Sequence, residues 1–157
     1  MNVIAINGSP RKDCNTAKLL KKALEGAAAK GAETEIINLY DLDFKGCHSC
    51  FACKRKGGKS YGKCAVKDGI TPVLEKIAQA DAVIFGSPIY FGNVTGELRS
   101  FMERLMFQYL VYDGKYTSLA PKKVKTACVY TMNVDAARMA EMNYKTNLKL
   151  VEIALHR

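Results

Sequence analysis

Apolar positions recur along this chain in two alternating rhythms. Residues 3–6 (VIAI) form a short run rich in branched side chains, closed by the turn sequence NGSP. Such a run predicts a buried strand. Over residues 15–30, Leu19, Leu20, Ala23, Leu24, Ala27 and Ala28 return at helical spacing, and Gly31 stops the pattern. Residues 33–39 (ETEIINL) read as a second strand, whereas residues 40–67 have no clear period. A helix is predicted over 70–80, with Ile70, Val73, Leu74, Ile77 and Ala78 on one face. Residues 82–86 (AVIFG) predict a third buried strand. The next helix, 96–110, turns Leu98, Phe101, Met102, Leu105 and Met106 inward, with Thr95 as its expected cap. Residues 123–131 predict a fourth strand, and from Asp135 onward the pattern is helical after an irregular start.

Strands alternating with helices imply an α/β doubly wound parallel sheet, covered on both faces. Crossovers in such sheets are right-handed. Ligands bind outside the carboxyl ends of the strands, where the winding reverses. The loops after strands one, three and four are therefore where chemistry is expected.

The chain has 157 residues, enough for one domain (1–157) with its own core. A cysteine-rich loop at 45–67 interrupts it. The net charge is +9, with basic residues gathered at 11–22, 54–67 and 122–125. Such a surface attracts phosphates, acidic proteins or nucleic acid. No nucleic-acid-binding motif accompanies the charge, so a small phosphorylated ligand is favoured over nucleic acid. The apolar run at the N-terminus is too short for a signal peptide, and no segment is long enough to span a bilayer. A cytoplasmic protein without membrane contact is expected, and cytosolic thiols are kept reduced.

The first loop, NGSPRKDCNTAKLL (7–20), runs from strand end into helix start. Ser9, Asn15 and Thr16 offer hydrogen bonds, and Arg11 offers a charged fork. A helix N-terminus binds anions through unpaired N–H groups and the helix dipole, so a phosphate fits here. The loop is neither a P-loop nor a dinucleotide fingerprint, because the later lysine and glycines of those motifs are absent. The plainer alternative is a turn with Asn15 or Thr16 as helix cap. In the third-strand loop, GSPIYFGNVTGELRSFMER (86–104), Pro88, Gly92 and Gly96 constrain the backbone. Tyr90 and Phe91 fall at the ligand edge, where a flat aromatic ligand would cover them by stacking. The alternative is that one ring points into the core. A phosphate at one loop and a planar ring at the other describe flavin mononucleotide (FMN).

These two loops resemble the flavin loops of the NADPH-dependent FMN reductase and iron-sulfur flavoprotein family. The resemblance runs from Met1 to about Thr131. It implies a flavodoxin-like sheet of order 2-1-3-4-5. It also implies that Ser9, Arg11, Asn15 and Thr16 hold the FMN phosphate. Pro88, Ile89, Tyr90, Phe91, Gly92 and Asn93 would line the isoalloxazine, with backbone N–H groups stabilising charge on the reduced ring. There are three departures. Cys14 stands where a glycine is usual, which costs about 1 kcal/mol if the backbone there is left-handed. The loop TMNVDAAR (131–138) lacks the glycines often seen there. The fifth strand is missing, so the expectation is a truncated chain or a second subunit that covers the fourth strand, as in a homo-oligomer.

Four cysteines, Cys47, Cys50, Cys53 and Cys64, lie in the aperiodic stretch. The first three have the C-x-x-C-x-x-C spacing of bacterial four-iron ligands, and the resemblance places a cluster motif at this position. Structural zinc sites more often pair two separated C-x-x-C units. Ten residues precede the fourth cysteine, five of them Lys or Arg that would offset a cluster's negative charge. The alternative stays open: relatives keep such cysteines and bind FMN alone. Cys128 reads as a buried apolar residue, and His48 as an exposed loop histidine.

The resulting expectation is an FMN-dependent NAD(P)H oxidoreductase that passes electrons to an acceptor, through a 4Fe-4S cluster if one is held. An acidic electron-transfer protein is a candidate partner. No side chain is required as acid or base, because the cofactor carries the chemistry. The rival readings are a flavodoxin-type electron carrier and a redox-sensing interaction protein.

Overall fold

The computed structural model describes residues 1–115 and 117–155. Its strands are β1 (Asn2–Asn7), β2 (Glu33–Asn38), β3 (Ala82–Pro88) and β4 (Lys125–Thr131). They form one parallel sheet in the order β2-β1-β3-β4. The helices are α1 (Asn15–Ala28), α2 (Thr71–Gln79), α3 (Gly96–Tyr109), α4 (Ala136–Glu141) and α5 (Tyr144–Leu155).

Alternation along β1 explains the two layers. Ile4 and Ile6 point to one face, where they pack with Phe85, with Val73 and Ile77 of α2, with Phe101 of α3 and with Val151 of α5. Val3 and Ala5 point to the other face, against Leu20 and Leu24 of α1. Each fully buried side chain of this kind contributes about 1.5–3 kcal/mol. Helix α1 lies directly on β3: a Cβ on Gly86 would sit 2.5 Å from Leu20 Cδ1. Only glycine admits that approach.

The predicted elements all form, with shifted ends. β3 runs to Pro88 rather than Gly86, because Ser87 and Pro88 pair with Tyr130 and Thr131 of β4. β4 starts at Lys125, whose N–H reaches Asp81 O at 3.1 Å. Helix α1 stops at Ala28, and the chain turns through Gly31 at φ +78°. The irregular start after Asp135 is the short helix α4, capped by the Asp135 side chain. It breaks from α5 at Asn143, which has a positive φ. β4 is an edge strand among the described residues, with Lys125 and Ala127 exposed. No helix among the described residues is long and apolar enough to cross a membrane. The last two residues, His156 and Arg157, lie outside the described set.

Candidate functional site

The loops after β1 and β3 are clasped at the carboxyl edge of the sheet. Gly8 N–H donates to Gly86 O at 2.8 Å. Thr95, almost fully buried, completes the clasp. Its hydroxyl donates to Gly8 O at 2.7 Å and accepts from Leu98 N–H at 3.3 Å, while its own N–H donates to Ser87 Oγ at 3.0 Å. Thr95 thus caps α3, as its sequence position predicts. One side chain ties the start of α3 to the first loop. Gly8 is required there, since a Cβ would lie 2.8 Å from Leu98 Cβ.

Within the first loop the Ser9 hydroxyl accepts from Arg11 N–H at 3.1 Å, and Ser9 N–H donates to Asn7 Oδ1 at 3.1 Å. These bonds fold the turn and leave Arg11 exposed. Among the described residues its guanidinium has no partner. Helix α1 opens at Cys14 without a side-chain cap. The first intrahelical bond runs from Lys18 N–H to Cys14 O at 2.9 Å. The N–H groups of Asn15, Thr16 and Ala17 therefore precede any partner in the helix. The alternative in which Asn15 or Thr16 caps α1 is not what the structure has. Asn15 is exposed, and the Thr16 hydroxyl instead shares a 2.7 Å hydrogen bond with Thr131 Oγ1 at the end of β4. Cys14 does not have the left-handed backbone that would strain it, since its φ is −96°.

Thr131 connects this end to the second loop. Its carbonyl accepts from Ile89 N–H at 2.8 Å. Tyr90 and Asn93 then pair through their backbones, Tyr90 N–H to Asn93 O at 2.9 Å and Asn93 N–H to Tyr90 O at 3.1 Å. The reversal between them puts Phe91 at φ 52° and Gly92 at φ 80°. Two successive positive φ values define this class of tight turn, and they suit Gly92 but not Phe91. Phe91 is fully exposed at 104%, and Tyr90 is 44% exposed. Neither ring enters the core. The structure thus holds an exposed phenylalanine on a backbone that costs about 1 kcal/mol. Pro88 and Ile89 are half-buried behind it.

Two neighbours carried no signal in the sequence. Tyr144 of α5 lies against Gly92, where a Cβ would meet the ring at 2.8 Å. Tyr40, in a short turn after β2, lies beside Thr95, Glu97 and Tyr90. Burial pushes its phenol pKa up, and Glu97 and Tyr90 add to the shift. Residues 40–67 have no period, so nothing in their pattern assigns Tyr40 a place.

Residues 1–152 match the family model for NADPH-dependent FMN reductase. The chain belongs to this family. An iron-sulfur flavoprotein of Methanocaldococcus jannaschii is 42% identical over 104 residues, which cover 66% of this chain and 51% of that protein. An iron-sulfur flavoprotein of Archaeoglobus fulgidus is 45% identical over 104 residues, covering 66% and 48%. The chain spans about half the length of these curated relatives. In fold, it is similar to an NAD(P)H:quinone oxidoreductase from Methanothermobacter marburgensis, with TM-score 0.76 at 17% identity, over 98% of this chain and 78% of that one. The fold is that of the flavodoxin-like FMN reductases, with four strands among the described residues in place of the five expected.

A cavity lies beside the C-terminal half of α3. Cys47, Cys50, Cys53 and Cys64 all line it, together with Arg104 and Gln108 of α3. All six cysteines of the chain are free thiols. Cys53 is buried, and burial pushes its thiol pKa up, with Cys50 and Cys64 adding to the shift and Lys54 opposing it. Among the described residues, no group of three or more His, Cys, Asp or Glu is drawn together closely enough to hold a metal ion. The thiols share a cavity without converging. Cys128 packs half-buried against the core, and His48 is exposed.

Helix α3 fixes this cavity. Arg104 donates to Asp68, to Lys45 O at 3.2 Å and to Val66 O at 3.1 Å. Burial opposes its charge, but Asp68 and Cys64 outweigh burial and raise its pKa. Gln108 Oε1 accepts from Cys64 N–H at 2.9 Å. Lys54 donates to the carbonyls of Phe107 in α3 and of Leu110, the residue that ends the helix, the latter at 2.6 Å. It therefore neutralises a helix C-terminus rather than standing free in the basic loop. Arg104 Nε and Gln108 Nε2 are buried and have no partner among the described residues. An unsatisfied buried donor costs about 1–3 kcal/mol. Four cysteines and two side chains with unpaired N–H donors, lining one cavity, are a donor set and surroundings of the kind a thiolate-held iron-sulfur cluster uses.

Proposed function

We propose that this chain holds FMN across the two clasped loops, takes hydride from NAD(P)H and passes electrons to an acceptor. The observation that carries the reading is the uncapped N-terminus of α1, joined through Thr131 to the exposed Tyr90–Asn93 turn. In this reading the N–H groups of Asn15 and Thr16, the Ser9 turn and the Arg11 guanidinium hold the phosphate. Pro88, Ile89, Tyr90, Phe91, Gly92 and Asn93 line the ring, with Tyr40 and Tyr144 beside them. Bound FMN supplies hydride acceptance and electron release. The protein's part is placement: Thr95 and Thr131 lock the loops at a fixed separation, so that binding reorganises little. Because Tyr90 and Phe91 are exposed, a nicotinamide would be able to reach FMN held at this turn.

In the same reading Cys47, Cys50, Cys53 and Cys64 hold a 4Fe-4S cluster once the loop draws them together. The cluster supplies one-electron transfer to the acceptor. The iron-sulfur flavoprotein names of the relatives and the shared cysteine cavity support it. The acceptor is a small molecule or an acidic electron-transfer protein, matched to the net charge of +9. The account also takes the chain as one FMN-binding domain of a cytoplasmic homo-oligomer. The half-exposed edge strand β4 supports the oligomer.

Rapid anaerobic mixing of the FMN-loaded protein with NADPH or NADH tests the enzymatic part. Either nicotinamide is expected to bleach the flavin band in a single fast phase, and the reduced protein should reoxidise when an acceptor is added. Reduction by dithionite but by neither nicotinamide would instead mark a flavodoxin-type carrier.

A further inference from the structure

Gln108 and Arg104 stand one turn apart on α3, 4% and 2% exposed, and both line the cysteine cavity. Each is pinned on one side and unpaired on the other. Gln108 Oε1 accepts from Cys64 N–H, which fixes the amide so that Nε2 is the free end. The two Nη atoms of Arg104 are taken by Asp68 and by the Lys45 and Val66 carbonyls, which leaves Nε. Among the described residues, these two free ends are buried donors of the cavity without a hydrogen-bond partner. Ordinary packing accounts for one end of the amide only: Oε1 satisfies Cys64 N–H, which a methionine of similar length would leave unpaired, whereas Nε2 satisfies nothing among the described residues.

We propose that Gln108 Nε2 and Arg104 Nε donate hydrogen bonds to sulfur atoms of the cluster held by Cys47, Cys50, Cys53 and Cys64, and hold its reduction potential up. The inference rests on the cluster reading. Adding one electron makes the cluster one charge more negative, so N–H donors to its sulfurs stabilise the reduced form more than the oxidised form. No bond is made or broken; only the balance of the two redox states moves. Gln108 and Arg104 are positioning and tuning residues, not ligands.

The test is an anaerobic redox titration of the iron-loaded protein, followed by electron paramagnetic resonance of the reduced cluster. Gln108→Met is expected to keep the parent's iron content and to shift the one-electron equilibrium about tenfold toward the oxidised form. That is a fall of about 59 mV. A measurement on the parent protein guards against a variant that folds poorly. The chain has two glutamines, Gln79 and Gln108. Cell-free synthesis with side-chain 15N-glutamine should give a 15N hyperfine coupling in the reduced cluster, and Gln79→Ala should retain it. A parent that takes up no iron overturns the cluster reading and this inference with it. A parent that holds iron but has no 15N coupling, or an iron-loaded Gln108→Met at the parent's potential, overturns this inference alone.

Discussion

Cys64→Ser is expected to strip the iron from anaerobically prepared protein while FMN stays bound. The parent should carry iron and acid-labile sulfide in about equal amounts, about four of each per chain. Its spectrum should show broad absorption beneath the flavin bands. Serine is a poor ligand for iron, so the variant should lose nearly all of that absorption. The backbone change is small, because the Cys64 N–H bond to Gln108 Oε1 does not involve the side chain. The loops proposed to hold FMN follow β1 and β3 and lie at the other end of α3, so the FMN dissociation constant should stay within about twofold. Zinc in place of iron in the parent would make the site structural. Parent protein free of both metals, with electron transfer unchanged in Cys64→Ser, would leave the cysteines without a ligand role.

The second large effect is expected at Arg11. Its side chain is exposed and contributes nothing visible to the fold, so Arg11→Ala should leave thermal stability unchanged. A charge-assisted hydrogen bond to a phosphate is worth about 1.5–3 kcal/mol. Loss of the guanidinium should therefore weaken FMN about tenfold to hundredfold. Riboflavin has no phosphate, and it should bind parent and variant alike. That control separates a phosphate contact from a general loosening of the loop. Equal FMN affinities would reduce Arg11 to a surface charge.

Much of the architecture is legible in the chain. VIAI and AVIFG are short apolar runs between turn residues, ETEIIN carries its apolar pair Ile36 and Ile37 near its end, and the helices between them keep a 3.6-residue rhythm. Both signals come from burial, which depends on side-chain type. What the pattern does not carry is partnership between distant polar groups. Thr16 looks like a helix cap in sequence, yet its hydroxyl pairs with Thr131, 115 residues away. Lys54 looks like one more loop cation, yet it caps the carboxyl end of α3. Arg104 and Gln108 lie in a helix whose apolar stripe is plain in the sequence, but their own burial depends on the cysteine loop folding over them. That loop has no period, so neither its path nor the place of Tyr40 follows from local rules. The exposed turn is an intermediate case. The glycine and aromatics of YFGN mark a constrained loop, but only the backbone shows Phe91, not just Gly92, at positive φ.

The most direct measurement of the central claim is the identity of the flavin released by acid from the purified protein. In the proposed reading the phosphate is held at the uncapped start of α1, and the loops after β1 and β3 offer no further glycine-rich turn for a pyrophosphate. The account predicts FMN at about one per chain. Release of FAD, or protein that binds no added FMN, would contradict it.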